Sequence, residues 1–230
     1  MKRLSGVTRV SAAQEGRDLM LKIENVETYG WEAAIRGMRN PKNSWDKSDT
    51  AFWSYPEEGV AHKIGENDLK LMKALAGAGT DHGKFMRMIV VTLDITAPLY
   101  WWKEFDTYKV GTVADSCSTM HKIHAKEFTL DDFSHEQMHD AFRADLRRLV
   151  ELLNIARNKF LETGNKRFWW DMIQLLPSSY NQRRTVMLNY AVLKNIYHAR
   201  KDHKLDEWHT FCDWIETLPY SELITGKAAR

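Results

Sequence analysis

Ile95–Met120 reads ITAPLYWWKEFDTYKVGTVADSCSTM. Pro98 suits the first turn of a helix, and Tyr100, Trp101, Phe105 and Tyr108 recur at helical spacing, so Leu99–Tyr108 is predicted to be a short amphipathic helix. Gly111 to Thr119, small and polar, ends it. Upstream, Lys84–Thr96 carries β-branched residues at its centre and has the length of a buried strand. A strand, a proline turn, an aromatic helix and a polar loop thus form one unit.

The flanking chain alternates strands and helices without a regular βαβ rhythm. Leu19–Val26 alternates as a strand, and Thr28 is placed to cap a helix through about Met38. Arg39–Glu58 is rich in turn formers and reads as a loop pinned by aromatics. Asn67 is placed to cap Asp68–Ala76, which Gly77 and Gly79 stop. Ser134–Thr163 is the longest helix candidate: Ser134 and Gln137 stand at capping-box spacing, and Phe142, Leu146, Leu149, Leu153 and Phe160 share one face. A helix over Lys166–Leu176 ends before Pro177. Arg184–Leu188 reads as a strand, Asn189 as a cap, and Asn189–Arg200 and Leu205–Thr217 as closing helices. With no GxGxxG, this order predicts an α+β fold in one domain spanning 1–230.

Composition narrows the function classes. The chain has 230 residues, a formal net charge of +2 and 43% hydrophobic residues. A near-balanced charge gives no global field to recruit nucleic acid. No apolar run reaches membrane-spanning length, and MKRLSGVTRV at the start lacks an apolar signal core. Cys117 and Cys212 stand far apart without CxxC spacing, which suits a reducing cytoplasm. Nine tryptophans and eight tyrosines supply large anchors for a core, an interface or a ligand.

His135–His139, HEQMH, has the H-E-x-x-H spacing that would place two imidazoles on one helical face with a glutamate between them to activate zinc-bound water. Its place in the first turn after Ser134, its polar flanks and the absence of a third ligand at a diagnostic spacing favour a solvated helix start. His135 and His139 stay as the metal alternative.

Taken with Asn189–Arg200, NYAVLKNIYHAR, the opening stretch resembles the flavin-dependent thymidylate synthases (ThyX). His82 looks like the family's first histidine, Phe85–Thr96 like its strand, and Ala97-Pro98 like its turn. Lys103 and Glu104 fall where the family commonly has Arg-Gln. Thr107, Tyr108 and Lys109 fall on Arg-His-Arg, Thr112 on the first loop serine, Ala114 and Asp115 on Asn-Glu, Cys117 on the second serine, and Thr119 and Met120 on Arg-Tyr. Leu175-Leu176-Pro177 is similar to the Leu-Pro step, and Ile173 and Ala191 stand where arginines are usual.

The resemblance implies a ThyX-like fold: a central, mostly antiparallel sheet with flanking helices and a long helix in the second half. It implies FAD held by Asn189, Asn195, Lys109 and Tyr108. It implies a dUMP-like pyrimidine nucleotide held by Arg200, Glu104, Ser116 and Ser118. It also implies a folate partner in one-carbon transfer to the pyrimidine, and a homotetramer with shared sites. Cys117 is the catalytic candidate, because a thiolate at that serine position is able to attack a pyrimidine ring; the competing reading is a small residue filling a tight loop. Arg183 and Arg184 are candidates to replace the missing arginines. Three readings stand: a flavin- and nucleotide-binding ThyX homologue, a ThyX-fold binding or assembly protein without catalysis, and a zinc hydrolase.

Overall fold

A computed structural model describes residues 21–55 and 59–227. Leu19 and Met20 of the first expected strand, the N-terminal stretch MKRLSGVTRV, and residues 56–58 of the expected loop lie outside the described residues. The order of longer elements is β1 (Lys22–Tyr29), α1 (Trp31–Arg39), β2 (Ala51–Tyr55), β3 (Gly59–Lys63), α2 (Glu66–Gly77), β4 (Val90–Pro98), α3 (Leu99–Phe105), β5 (Val113–Ser116), α4 (Asp140–Thr163), α5 (Lys166–Leu175), β6 (Asn181–Asn189), α6 (Tyr190–Arg200), α7 (Asp206–Glu216) and α8 (Glu222–Thr225). The four-stranded sheet runs β1-β4-β6-β5 with every neighbour antiparallel, and β2–β3 is a separate hairpin. This is the α+β architecture expected from the sequence.

Strand β4 explains why the sheet is central. Val91, Leu93, Ile95 and Ala97 are buried on one face, with Val186 and Leu188 of β6 beside them, as period-two alternation dictates. Trp101, Trp102 and Phe105 of α3 and Trp208 and Phe211 of α7 pack into the same core. Trp101 meets Trp208 at 4.8 Å between ring centroids. The aromatics of the opening stretch are therefore core, and Trp101 and Trp102 are fully buried and closed to ligands. A second cluster joins α4 and α5 to Ile123, Phe128 and Phe133 of the long loop after β5.

Several boundaries differ from expectation, each for a local reason. Thr28 lies in β1, and the chain enters α1 through Gly30 at φ +82, where a Cβ would meet the Met88 carbonyl oxygen at 2.0 Å. Asn67 sits inside α2; the cap comes from Asp49, whose carboxylate accepts from the Asn67 and Asp68 amides at 2.9 and 3.0 Å. The expected loop Arg39–Glu58 includes β2 and two short 3₁₀ turns. Lys84–Arg87 belongs to a 3₁₀ turn opened by exposed His82, and the strand begins at Val90. The polar stretch after Gly111 contains β5, a fully exposed edge strand.

The long helix begins at Asp140, capped by His139, rather than at Ser134. Ser134 is held elsewhere: its hydroxyl donates to Asn181 Oδ1 at 2.8 Å and its amide to the Ser179 carbonyl at 2.8 Å. Leu146 and Leu153 are buried as expected, while Phe142 is 64% exposed.

Candidate functional site

The C-terminal turn of α3, the end of α6 and the start of α7 bring one polar cluster together. Arg200 Nη1 donates to Glu104 Oε2 at 2.9 Å, and Arg200 Nε donates to the Tyr108 hydroxyl at 2.8 Å. Its guanidinium lies 4.9 Å from the Trp208 ring centroid and 5.6 Å from that of Tyr108. Trp208 Nε1 donates to the same Glu104 oxygen at 3.1 Å, and His203 Nε2 stands 3.2 Å from it. His203 Nδ1 accepts the Leu205 amide at 3.1 Å, which leaves Nε2 as the nitrogen turned toward Glu104.

This geometry leaves a specific pair of atoms open. Two donors, Arg200 Nη1 and Trp208 Nε1, converge on Glu104 Oε2 with His203 Nε2 beside them, whereas Glu104 Oε1 and Arg200 Nη2 make no hydrogen bond among the described residues and are not sealed from solvent. A fixed carboxylate oxygen beside a fixed N–H donor offers acceptor and donor together on two partly buried side chains. The guanidinium charge is already balanced by Glu104, so the cluster is a hydrogen-bonding surface rather than a net cation. His203 and Trp208 had been missed in the sequence; no motif separates them from other residues of a closing helix, and only the fold brings them to Glu104.

Asn189 caps α6 as expected, accepting the Val192 amide on Oδ1 at 3.1 Å. Its Nδ2 lies over Gly111, where φ is +79 and a Cβ would stand 3.0 Å from that nitrogen. Glycine suits this position because a side chain would be strained at that φ and would crowd Asn189 and Val192. Thr112 Oγ1, the next residue, is buried without a hydrogen-bond partner among the described residues. Asn195 and Lys109 are exposed. Tyr108, expected on the cofactor side, is committed to Arg200.

Ser116 is an exposed residue of β5 opposite Arg184, and Cys117 and Ser118 follow it. The Cys117 backbone is clamped on both sides: its amide donates to the Arg183 carbonyl at 3.0 Å, and its carbonyl accepts from Gln182 Nε2 at 2.8 Å. Its exposed thiol borders a pocket of about 320 Å³ with Ser118, Lys122, Ile123, Lys126, Phe128 and Tyr180. Cys117 and Glu104 belong to separate clusters, joined through Gln182, Arg184 and Asp106. The other thiol, Cys212, is buried and pushed up to about 12, chiefly by burial.

The two arginines named as candidates to compensate are both engaged in ion pairs. Arg183 is paired with Asp94 at 2.7 Å. Arg184 donates to Asp106 at 2.7 Å and lies 4.2 Å from the Trp102 ring centroid. Ala191 and Ile173, at the positions where arginines were missed, pack against the two hydrophobic clusters.

HEQMH falls in the irregular segment before α4. His135 Nδ1 is 2.8 Å from the Phe133 carbonyl, and His139 Nδ1 accepts the Ala141 amide at 3.3 Å. The two imidazoles thus do not share a helical face, which removes the premise of the zinc reading. Among the described residues no group of three or more His, Cys, Asp or Glu side chains is arranged to hold a metal, and no helix is long and apolar enough to cross a membrane.

Neither a protein-family model nor a curated protein matches the sequence. Solved structures do match the fold. A flavin-dependent thymidylate synthase ThyX from Helicobacter pylori, complexed with FAD and dUMP, superposes with a TM-score of 0.64 at 15% identity, over 87% of this chain and 97% of that one. A second structure of the H. pylori enzyme with FAD and dUMP gives 0.65 at 14% identity, over 89% and 95%. A UMP/dUMP methylase, PolB from Streptomyces cacaoi, bound with 5-Br dUMP, gives 0.60 at 14% identity, over 86% and 88%. The chain has the ThyX fold at low sequence identity, so the frame expected from Ile95–Met120 and Asn189–Arg200 is the one it adopts.

Proposed function

We propose that this chain is a divergent ThyX-like protein that binds a pyrimidine nucleotide, with the Glu104–Arg200 pair holding the edge of the base. The carrying observation is the set of donors fixed on Glu104 Oε2, which leaves Oε1 to accept and Arg200 Nη2 to donate. A uracil ring presents N–H beside C=O on one edge and complements such a pair. Tyr108 and Trp208 hold the guanidinium flat, so little side-chain entropy is lost on binding.

The residues also fit a flavin. The Thr112 hydroxyl, buried without a partner among the described residues beside Asn189, and the exposed Asn195 and Lys109 are polar groups that support a cofactor reading. Asn189, Asn195 and Lys109 would hold FAD, and the flavin when bound would supply the redox step of one-carbon transfer from a folate to the pyrimidine. Lys109 contributes a point charge where Arg-His-Arg would give planar forks. We read residues 1–230 as one domain of a cytoplasmic homotetramer, and Ser116, Ser118 and Cys117 as its nucleotide-facing loop. The second reading, a ThyX-fold binding or assembly protein without catalysis, is favoured by Thr107, whose hydroxyl donates to the Glu104 carbonyl at 2.7 Å and only closes the helix end.

Calorimetry with dUMP tests the nucleotide reading, and the flavin absorption band of the purified protein tests the cofactor. Saturable dUMP binding that Arg200→Ala weakens by about tenfold or more supports it. A chain that takes up neither dUMP nor flavin rejects it.

A further inference from the structure

Two hydrogen bonds of opposite sense join α3 to α7. Tyr100 and Glu104 stand four residues apart and so share one face of α3. Across from them, α7 presents the neighbours Glu207 and Trp208. The Tyr100 hydroxyl donates to Glu207 Oε1, and Trp208 Nε1 donates to Glu104 Oε2 at 3.1 Å. Each helix gives one donor and one acceptor, and the second bond belongs to the polar cluster described above.

Glu207 itself is no part of that cluster. It is 3% exposed, no cation pairs with it among the described residues, and the Tyr100 bond is the only hydrogen bond its carboxylate makes there. Burial, and after it the Glu207 contact, pushes the Tyr100 hydroxyl up, so it keeps its proton and stays a donor. The carboxylate also faces the positive end of α7, where Leu205 at the cap offers no side-chain acceptor. The HEQMH stretch lies against the same turn: Gln137 Nε2 donates to Asp206 Oδ2 at 3.4 Å, and Glu136 acts on Tyr100 in the same direction as Glu207.

Apolar packing alone does not fix how far α7 reaches along α3. Trp208 is fully buried and meets Trp101 and Phe105 at 4.8 and 6.4 Å between ring centroids, the second nearly parallel at 15°. Such contacts have little directionality, so a ring slides along a stack at small cost. A buried carboxylate is less tolerant. Turning α7 by one residue, about 100° and 1.5 Å, would leave Glu207 buried without its donor. The register in which Glu207 meets Tyr100 is also the one in which the Trp208 indole meets Glu104.

We infer that Tyr100 and Glu207 are positioning residues: their bond sets the register of α7 on α3, seats the Trp208 indole on Glu104, and through Glu104 tunes which base the site prefers. The consequence for the base rests on the nucleotide reading above; the seating of Trp208 does not.

Two measurements separate these halves. In calorimetry, Tyr100→Phe and Glu207→Met, which keep ring and volume but remove the donor or the acceptor, should each lower the preference for dUMP over dCMP by about threefold or more. Glu207→Gln, whose amide oxygen still accepts from Tyr100, should keep the parent preference. A general loosening of the fold would weaken both nucleotides together and leave their ratio unchanged. The second measurement needs no ligand: in 5-fluorotryptophan NMR of the full-length protein, the Trp208 signal is the one missing from Trp208→Phe. It should shift in Tyr100→Phe and Glu207→Met and stay in place in Glu207→Gln. Thermal melting checks that each variant is folded, and Tyr100→Phe, which loses a single hydroxyl, carries the test if Glu207→Met does not fold. A Trp208 signal unmoved in Tyr100→Phe, or moved as far by Glu207→Gln as by Glu207→Met, overturns the positioning role whether or not dUMP binds. A shifted signal with an unchanged dUMP-to-dCMP ratio overturns the tuning and leaves the nucleotide reading standing. If the parent takes up no dUMP, the nucleotide reading fails, and the Trp208 signal alone decides whether the pair seats the indole.

Discussion

Glu104 and Arg200, 96 residues apart in sequence, meet at 2.9 Å with His203 and Trp208 on the same carboxylate oxygen. Glu104 stands where ThyX proteins commonly carry a neutral glutamine, so the resemblance and the geometry together single it out. A carboxylate only accepts, whereas a carboxamide is able to turn either its oxygen or its nitrogen outward. The parent protein should therefore prefer dUMP to dCMP, whose ring nitrogen at the matching position is an acceptor. Glu104→Gln should reduce that preference by about tenfold in calorimetry. An unchanged dUMP-to-dCMP ratio in a folded variant would show that Glu104 does not read the base.

Arg39 and Asp68 form a buried ion pair at 2.6 Å that locks α1 to α2. Asp68 also accepts from Ser48 and Thr50, and Arg39 from its other nitrogens reaches the Ser44 and Lys47 carbonyls. Removing one partner leaves a buried charge without compensation. Arg39→Ala should lower the unfolding free energy by about 3–5 kcal/mol in urea titration. Burial pushes the Asp68 carboxyl up, but the Thr50, Ser48 and Arg39 contacts outweigh it and hold it below the usual range.

Asp94 predicts how the sheet responds to acid. The Thr185 hydroxyl, then Asn25 and Arg183, hold its carboxyl down to about 2. A lowered folded-state pKa adds stability above the unfolded value near 3.8, and that stability is lost as pH falls toward 2. The contribution is about 2 kcal/mol at neutral pH. Asp94→Asn should therefore destabilise the protein at pH 7 and lose its effect by pH 2, as urea midpoints at both values will show. A pH-independent penalty would mean that the hydrogen bonds matter and the charge does not.

Much of the frame was legible because it is written in local signals. The proline turn, the helical spacing of Trp101 and Phe105, the Asn189 cap and the alternation of β4 each depend on near neighbours in sequence. The misplaced features depend on distant ones. Asp49 caps α2 from outside it, and Ser134 is drawn to Asn181 instead of starting α4. The exposed edge strand β5 forms by pairing with β6, and its polar residues carry no strand signal. In the candidate site, Glu104, Tyr108 and Arg200 are singled out by position in the sequence and meet in the fold, whereas His203 and Trp208 acquire meaning only through tertiary placement. Arg183 and Arg184 were legible as charges, but their partners Asp94 and Asp106 were not.

The exposed flank of α4 bears on assembly. Leu152 and Ile155 are 45% and 55% exposed there, and Trp170 and Leu175 of the adjacent α5 are 43% and 44% exposed. Leu152 and Ile155, three residues apart, share one exposed face of α4, and neighbouring exposed apolar side chains mark a candidate interaction site. With a chain mass of 26.9 kDa, light scattering at micromolar concentration should report a species about four times heavier, in keeping with the proposed homotetramer. Ile155→Glu places a charge on this flank without touching the core. If the flank is an interface, the variant should shift to lower mass while its far-ultraviolet circular dichroism stays the same. A parent protein that runs as a monomer would remove the shared-site arrangement, and a tetramer indifferent to Ile155→Glu would move the interface to another face.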